Sequence, residues 1–169
     1  ADLSDLVVQS EFAVFKTVVA EGGVVKGLAA PGCADYSRRQ VDALTEFVQS
    51  YGAKGLSSFA LQGEGALESL TDEDVRSPIA RFFPVDVVYR LAERLGAKRG
   101  DLLLLVGGPV KTTNQALGML RQELGRRLGL ADPNHLAFAY VVDFPLFERN
   151  EEEGRWEPSH HLFTSAQDD

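Results

Sequence analysis

Leu102-Leu103-Leu104-Leu105-Val106 is the stretch that most narrows what this chain can become. Five apolar residues stand between Asp101 and Gly107, with no polar residue among them. By length and composition such a run is a fully buried, central strand. Gly107-Gly108-Pro109 breaks it. A chain with that strand must supply partner strands, and enough apolar helix surface to cover a sheet.

Upstream, Ser10 to Val19 reads SEFAVFKTVV, rich in β-branched and aromatic residues, with Phe12 and Val14 alternating against Ala13, Phe15 and Thr17. That pattern predicts a strand. Ala20-Glu21-Gly22-Gly23 is turn chemistry, because glycine takes positive φ without steric penalty. Val24 to Ala29 then reads as the returning strand of a hairpin, ended by Pro31-Gly32. Ser37 with Gln40 three residues on predicts a capping box. Val41, Leu44, Val48 and Tyr51 follow on one helix face, and Gly52 terminates it. Leu56 to Leu61 is a short strand, and Asp72 to Pro84 a turn or short helix interrupted by prolines.

Pro84 opens a second helix with Val88, Leu91 and Leu95 on one face before Gly96. After the central strand, Thr112 or Thr113 is placed to cap a third helix, striped by Leu117, Leu120, Leu124 and Leu128 and ended by Gly129. Gly118 inside it costs about 1 kcal/mol against alanine, which predicts close packing there. Tyr140 to Phe147 is strand-like, with Tyr140 to Val142 suited to a buried strand and Pro145 forcing a break or an edge. Arg149 to Arg155 is an acidic, exposed turn. His160-His161 arrive where a returning strand would run, and adjacent strand residues face opposite ways. One histidine would therefore look into a pocket while the other supports it. A strand hairpin, then helices alternating with strands, gives an α+β fold rather than a doubly wound sheet.

Composition excludes several function classes. At 169 residues the chain holds one core, or one domain with an attached piece, and its net charge of −8 argues against a general nucleic-acid surface. DNA is not an expected partner, and any RNA contact would be local. Cys33 is the single cysteine, so no internal disulfide forms and a reducing cytoplasm is the natural compartment. No apolar run approaches the ~20 residues of a membrane span. The chain opens on Ala1 and its one methionine is Met119, the pattern expected of a fragment or processed chain.

Residues 107–113 place glycines and Lys111-Thr112 after a strand. They lack the glycine directly before Lys-Ser/Thr that cradles phosphates, and Pro109 removes a donor, so a strand-to-helix turn is expected instead. Cys33, His135, His160 and His161 match no zinc spacing. Arg121, Arg126 and Arg127 read as a solvated helix face suited to the helix dipole, with an RNA-backbone contact as the alternative. Arg38, Arg39, Lys54 and Lys26 form a second possible basic surface.

Two groups of motifs carry a resemblance. VVDFPLFE, an acidic turn, and HHLFTS resemble a segment of bacterial-type aspartyl-tRNA synthetases, class II enzymes. FAVFKTVVAEGGVVKGLAAPG, followed by SRRQVDALTEFVQSYGAKGL, resembles the insertion (GAD) domain of the same family, a module found also in an archaeal glutamyl-tRNA amidotransferase subunit. SPIARFF, GDLLLLVGG and ALGMLRQELGRRLGL fit the family at their spacing. Where the family has proline after the paired histidines and after Thr-Ser, this chain has Leu162 and Ala166.

The resemblance implies a GAD-like insertion domain over 1–108 and a return segment of the catalytic domain over 109–169. The fold implied is a mixed or antiparallel sheet with helices packed on one side, plus a helix and strand of the catalytic domain. It implies that His160 contacts L-aspartate, with His161 behind it, and that no catalytic residue lies in this piece. ATP and Mg2+ would be bound outside the chain, tRNA(Asp) would be the acceptor, and the parent would be a homodimer. The piece alone would be inactive, with Glu148 to Asp169 separated from the sheet they would pair with and mobile or misplaced. The alternative is a non-catalytic module binding tRNA or protein, as in the amidotransferase subunit.

Overall fold

In the computed structural model, which describes residues 1–132, 134–136, 138–140, 142, 145–150 and 153–159, the elements follow one another from short helices into a sheet. They are α1 (Ser4–Val7), α2 (Ala13–Ala20), β1 (Val24–Ala30), α3 (Arg38–Gln49), β2 (Ser57–Leu61), β3 (Val75–Arg76), α4 (Val85–Arg94), β4 (Leu102–Gly108), α5 (Val110–Arg127), β5 (Phe147–Asn150) and β6 (Arg155–Pro158). The chain divides into two units, Ala1–Ala131 and Asp132–Asp169.

In the first unit the strand order is β1-β4-β2-β3, and every neighbouring pair is antiparallel. The five-residue apolar run is the centre of β4, with Leu104 paired to Leu28 of β1 on one side and Ser58 of β2 on the other. Its side chains alternate. Leu103 and Leu105 join Val25, Phe59 and Leu61 under α1, α2 and α4. Leu102, Leu104 and Val106 join Leu44, Val48, Ala116, Leu120 and Leu124 of α3 and α5.

The α+β class and the antiparallel sheet are those expected. The helices, however, lie on both faces rather than on one. A strand with no polar residue has apolar side chains on each face, and each face needs its own cover.

The clearest departure from expectation is Ser10 to Val19, which holds no strand. Ala13–Ala20 is helical, and only Phe15 of it is fully buried, with Phe12, Val18 and Val19 packed against the same core. Those positions recur at helical spacing. Aromatic packing overrides the β-propensity of the segment: Phe12 and Phe15 meet edge to face at 5.0 Å, and Phe15 and Phe12 reach Phe83 at 6.3 and 6.0 Å. The expected hairpin is therefore absent. β1 pairs with β4 instead, and residues 1–3 lie along its other edge, where the Leu3 amide donates to the Val25 carbonyl at 2.8 Å. At the α2–β1 turn, a Cβ on Gly23 would stand 2.8 Å from the Gly108 carbonyl, so glycine is required there by space.

Other local signals appear as read. Ser37 and Gln40 form the reciprocal capping box of α3, and Gly52 and Gly96 take positive φ after α3 and α4. The stripe of α5 is buried at Leu117, Leu120 and Leu124. Its start differs from the expected threonine cap: α5 begins at Val110 behind Pro109, with no side-chain cap, and Thr113 lies inside the first turns, fully buried. Close packing at Gly118 is also not found, since a Cβ there would meet nothing within 4 Å.

The second unit holds the β5–β6 hairpin, with Phe147 opposite Pro158 and Asn150 opposite Arg155. Gly154 takes positive φ before β6 begins at Arg155; the returning strand expected at His160-His161 lies outside the described residues. Tyr140 and Val142 are not in a strand and are exposed by 97% and 74%, against the expected buried strand. Burial of such a segment needs a neighbouring layer, and none covers it among the described residues of this unit. The expectation that the tail from Glu148 lacks a partner is corrected for its described part, because β5 and β6 pair with each other.

Candidate functional site

Strand alternation sorts the hairpin into two faces. Phe147, Arg149, Trp156 and Pro158 share one; Glu148, Asn150, Arg155 and Glu157 share the other. On the second face Glu148 stands directly opposite Glu157, a like-charge pair that opposes pairing. Arg155 offsets it, placing Nη2 at 2.9 Å from Glu157 and Nε at 2.6 Å from Glu153. On the first face the aromatic side chains remain open, Phe147 by 58% and Trp156 by 68%. Leu136, Phe138, Tyr140 and Val142 are exposed as well. This concentration of large apolar side chains in one short unit is a surface that another layer of protein would cover.

His160 and His161, the residues singled out for substrate contact, lie outside the described residues, as does Asp143. Glu148 is placed on the charged hairpin face.

The arginines of α5 are resolved individually. Arg126 and Arg127 both grip Glu123, at 2.9 and 2.6 Å, and hold its carboxyl down to about 2, the Arg126 hydrogen bond being the larger cause. Two of the three cations are thereby committed to a carboxylate of their own helix, as a solvated helix face would have it. Arg121 points elsewhere, beside Lys26 and Asn114 at the β1 edge, where Lys26 donates to Asn114 at 2.8 Å. The three do not form one basic surface.

Two charged side chains with little exposure carry no local sequence signal. Asp101 is 3% exposed and accepts from the backbone N–H groups of Gly32 and Lys98, each at 2.9 Å, so it ties the ends of β1 and β4 together. Arg99 organises the β2–β3 connection through backbone carbonyls. Both are surrounded by turn residues, and no periodicity marks such positions.

The chain thus combines an antiparallel α+β unit covered on both faces with a short hairpin unit whose aromatic side is exposed. Residues 15–117 match the model of the GAD domain, and the chain belongs to that family. It is 45% identical over 166 residues, 98% of its length, to the aspartate–tRNA(Asp/Asn) ligase of Dehalococcoides mccartyi. It is 50% identical over 163 residues, 96% of its length, to the ligase of the same name from Moorella thermoacetica, and 45% over 168 residues, 99%, to that of Geotalea uraniireducens. The chain spans 28%, 26% and 27% of these relatives, respectively.

Proposed function

We propose that this chain is part of an aspartate–tRNA ligase, contributing the GAD module and the adjoining segment of the catalytic domain. One observation carries the reading: similarity to the ligases runs over 98% of the chain, well beyond the GAD match ending at residue 117. A GAD module working as a free-standing interaction domain would have no reason to resemble the ligases through the second unit. The open apolar face of that unit supports the same reading, since a catalytic sheet formed by the rest of the protein would cover it.

The division at 108/109 follows the resemblance, with α5 as the connection back toward the catalytic domain. The whole enzyme would activate L-aspartate with ATP and pass it to tRNA(Asp), and, by the relatives' printed specificity, to tRNA(Asn). It would act as a homodimer in the cytoplasm. His160 would contact the aspartate substrate, with His161 supporting it. An imidazole there changes charge near neutral pH, so aspartate affinity would depend on pH.

Among the described residues no group of three carboxylate, histidine or cysteine side chains is placed to hold a metal, and Pro109 stands at the start of α5 where a phosphate would need an N–H. ATP and Mg2+ would be bound by other parts of the enzyme. The chain on its own would show no activity.

The test is aspartate-dependent exchange of pyrophosphate into ATP, on the longer protein that carries this chain, comparing wild type with His160→Ala. A large rise in the aspartate KM with folding intact is the expected result. Unchanged kinetics would remove His160 from the site, and absence of exchange in the wild type would overturn the ligase reading.

A further inference from the structure

Beside the first turns of α3, over the β2–β3 end of the sheet, lies an open cavity of about 500 Å3. Side-chain size in β2 creates it. Phe59 and Leu61 are fully buried on the α4 face, whereas Ser58 and Ala60 turn two small side chains toward the α3 face. Elsewhere that face is filled by Leu44, Val48 and Leu120; here the cover stops and Ala60 and Leu102 form an apolar floor. Tyr36 and Pro78 line the cavity beside them.

Two guanidinium groups stand at this cavity. Arg76, paired with Ala60 in the sheet, donates from Nη2 to the carbonyls of Ala34 at 2.5 Å and Tyr36 at 3.2 Å. Those bonds orient the side chain and leave further N–H donors of the fork. Among the described residues no carboxylate pairs with it. Arg38 is 95% exposed, and its ion pair is a loose one, 3.9 Å to Asp42. With Asp42 also in the lining, the two arginines still leave the cavity one net positive charge, on a chain whose net charge is −8.

We propose that this cavity binds a nucleoside monophosphate unit, its phosphate held by Arg38 and Arg76 and its base lying on the apolar floor. The volume falls within the range of about 300–1,000 Å3 typical of small-ligand pockets. Planar forks match phosphate oxygens, and an aromatic ring beside apolar surface suits a base. Asp42, also at the cavity, supplies an acceptor for a ribose hydroxyl or exocyclic amine, which a bare anion would not use. The unit could be a free nucleotide or an unpaired nucleotide within an RNA strand. The site lies wholly in the first unit and does not depend on His160 or on the ligase reading.

The experiment is a titration of the 169-residue chain followed by its backbone amide NMR signals. The probes are adenosine 5′-monophosphate, adenosine, inorganic phosphate and a short single-stranded oligoadenylate. Adenosine 5′-monophosphate should shift the signals of residues 36–42, 58–60 and 76–78, and phosphate or adenosine alone should do so far more weakly. Arg38→Glu should weaken binding on the order of tenfold. Ala60→Leu, which fills the floor, should abolish it, and Arg121→Glu on α5 should leave it unchanged, each with signal dispersion intact. Tighter binding of the oligoadenylate at the same residues would identify an RNA source, and failure of the oligoadenylate there a free nucleotide. Equal shifts from inorganic phosphate, or no shifts at these residues from either nucleotide probe, would overturn the proposal.

Discussion

Arg99 and Asp74 close the long connection between β2 and β3: Nη1 of Arg99 lies 3.1 Å from Oδ1 of Asp74, with the arginine side chain only 6% exposed. The same guanidinium donates to the carbonyls of Gln62 at 2.9 Å, Ala66 at 3.2 Å and Ser69 at 2.7 Å. One side chain therefore satisfies backbone acceptors that the irregular chain of residues 62–74 has no ladder to pair. Arg99→Ala should lower stability by about 1–2 kcal/mol, because several acceptors lose one shared charged donor. Arg99→Lys should recover only part, since an ammonium cannot span the fork. Urea unfolding midpoints of the three proteins decide the matter; equal midpoints would show the connection to be held by other contacts.

Acid sensitivity follows from two carboxylates. Asp74 is held down to about 2, chiefly by its Arg99 hydrogen bond and then by Thr71, and Glu123 to about 2 by Arg126 and Arg127. Each folded value lies below the unfolded one, near ~4. Their contribution to stability is therefore complete above that unfolded value and is lost as pH falls toward about 2. Asp74→Asn combined with Glu123→Gln should flatten the decline of the unfolding midpoint between pH ~4 and ~2. The same decline in the double variant would assign the acid sensitivity to other groups.

Two glycines should respond in opposite directions. A methyl group on Gly118 meets nothing within 4 Å, so Gly118→Ala should stabilise the chain by about 0.5–1 kcal/mol through helix propensity. On Gly107 a Cβ would lie 3.2 Å from two ring carbons of Phe15 and 3.3 Å from Val25. Gly107→Ala should therefore cost more than about 1 kcal/mol as α2 is displaced. Thermal midpoints moving the same way in both variants would contradict this packing.

Trp156 is the chain's single tryptophan and is 68% exposed. Its fluorescence in the 169-residue chain should be that of a water-exposed indole, readily quenched by iodide. In a longer protein carrying this chain, the emission from this residue should shift to the blue and quench less if, as proposed, a completed catalytic sheet covers the Phe147–Trp156 face. Equal quenching in both proteins would mean that this face stays open.

The fold was legible where one segment carries its own instructions. The capping box at Ser37, the terminators Gly52 and Gly96, the α5 stripe and the apolar run of β4 are each complete within a turn or two of chain. The cavity over Ser58 and Ala60 left a weaker trace, small residues alternating with Phe59 and Leu61, but its cationic groups come from α3 and β3. No local window contains both.

Sequence by itself determined the central strand, the three long helices and the membership of the chain, because periodicity, caps and motifs act over short range. Tertiary structure alone decided that Phe12 to Val19 coil rather than extend, since the aromatic residues that capture Phe12 and Phe15 are Phe82 and Phe83, far along the chain. It decided that Val24 pairs with Gly108 rather than with a hairpin neighbour. It also decided that helices cover both faces, because a strand such as β4 is apolar on either side, and only the folded chain brings α1, α2 and α4 to one face and α3 and α5 to the other.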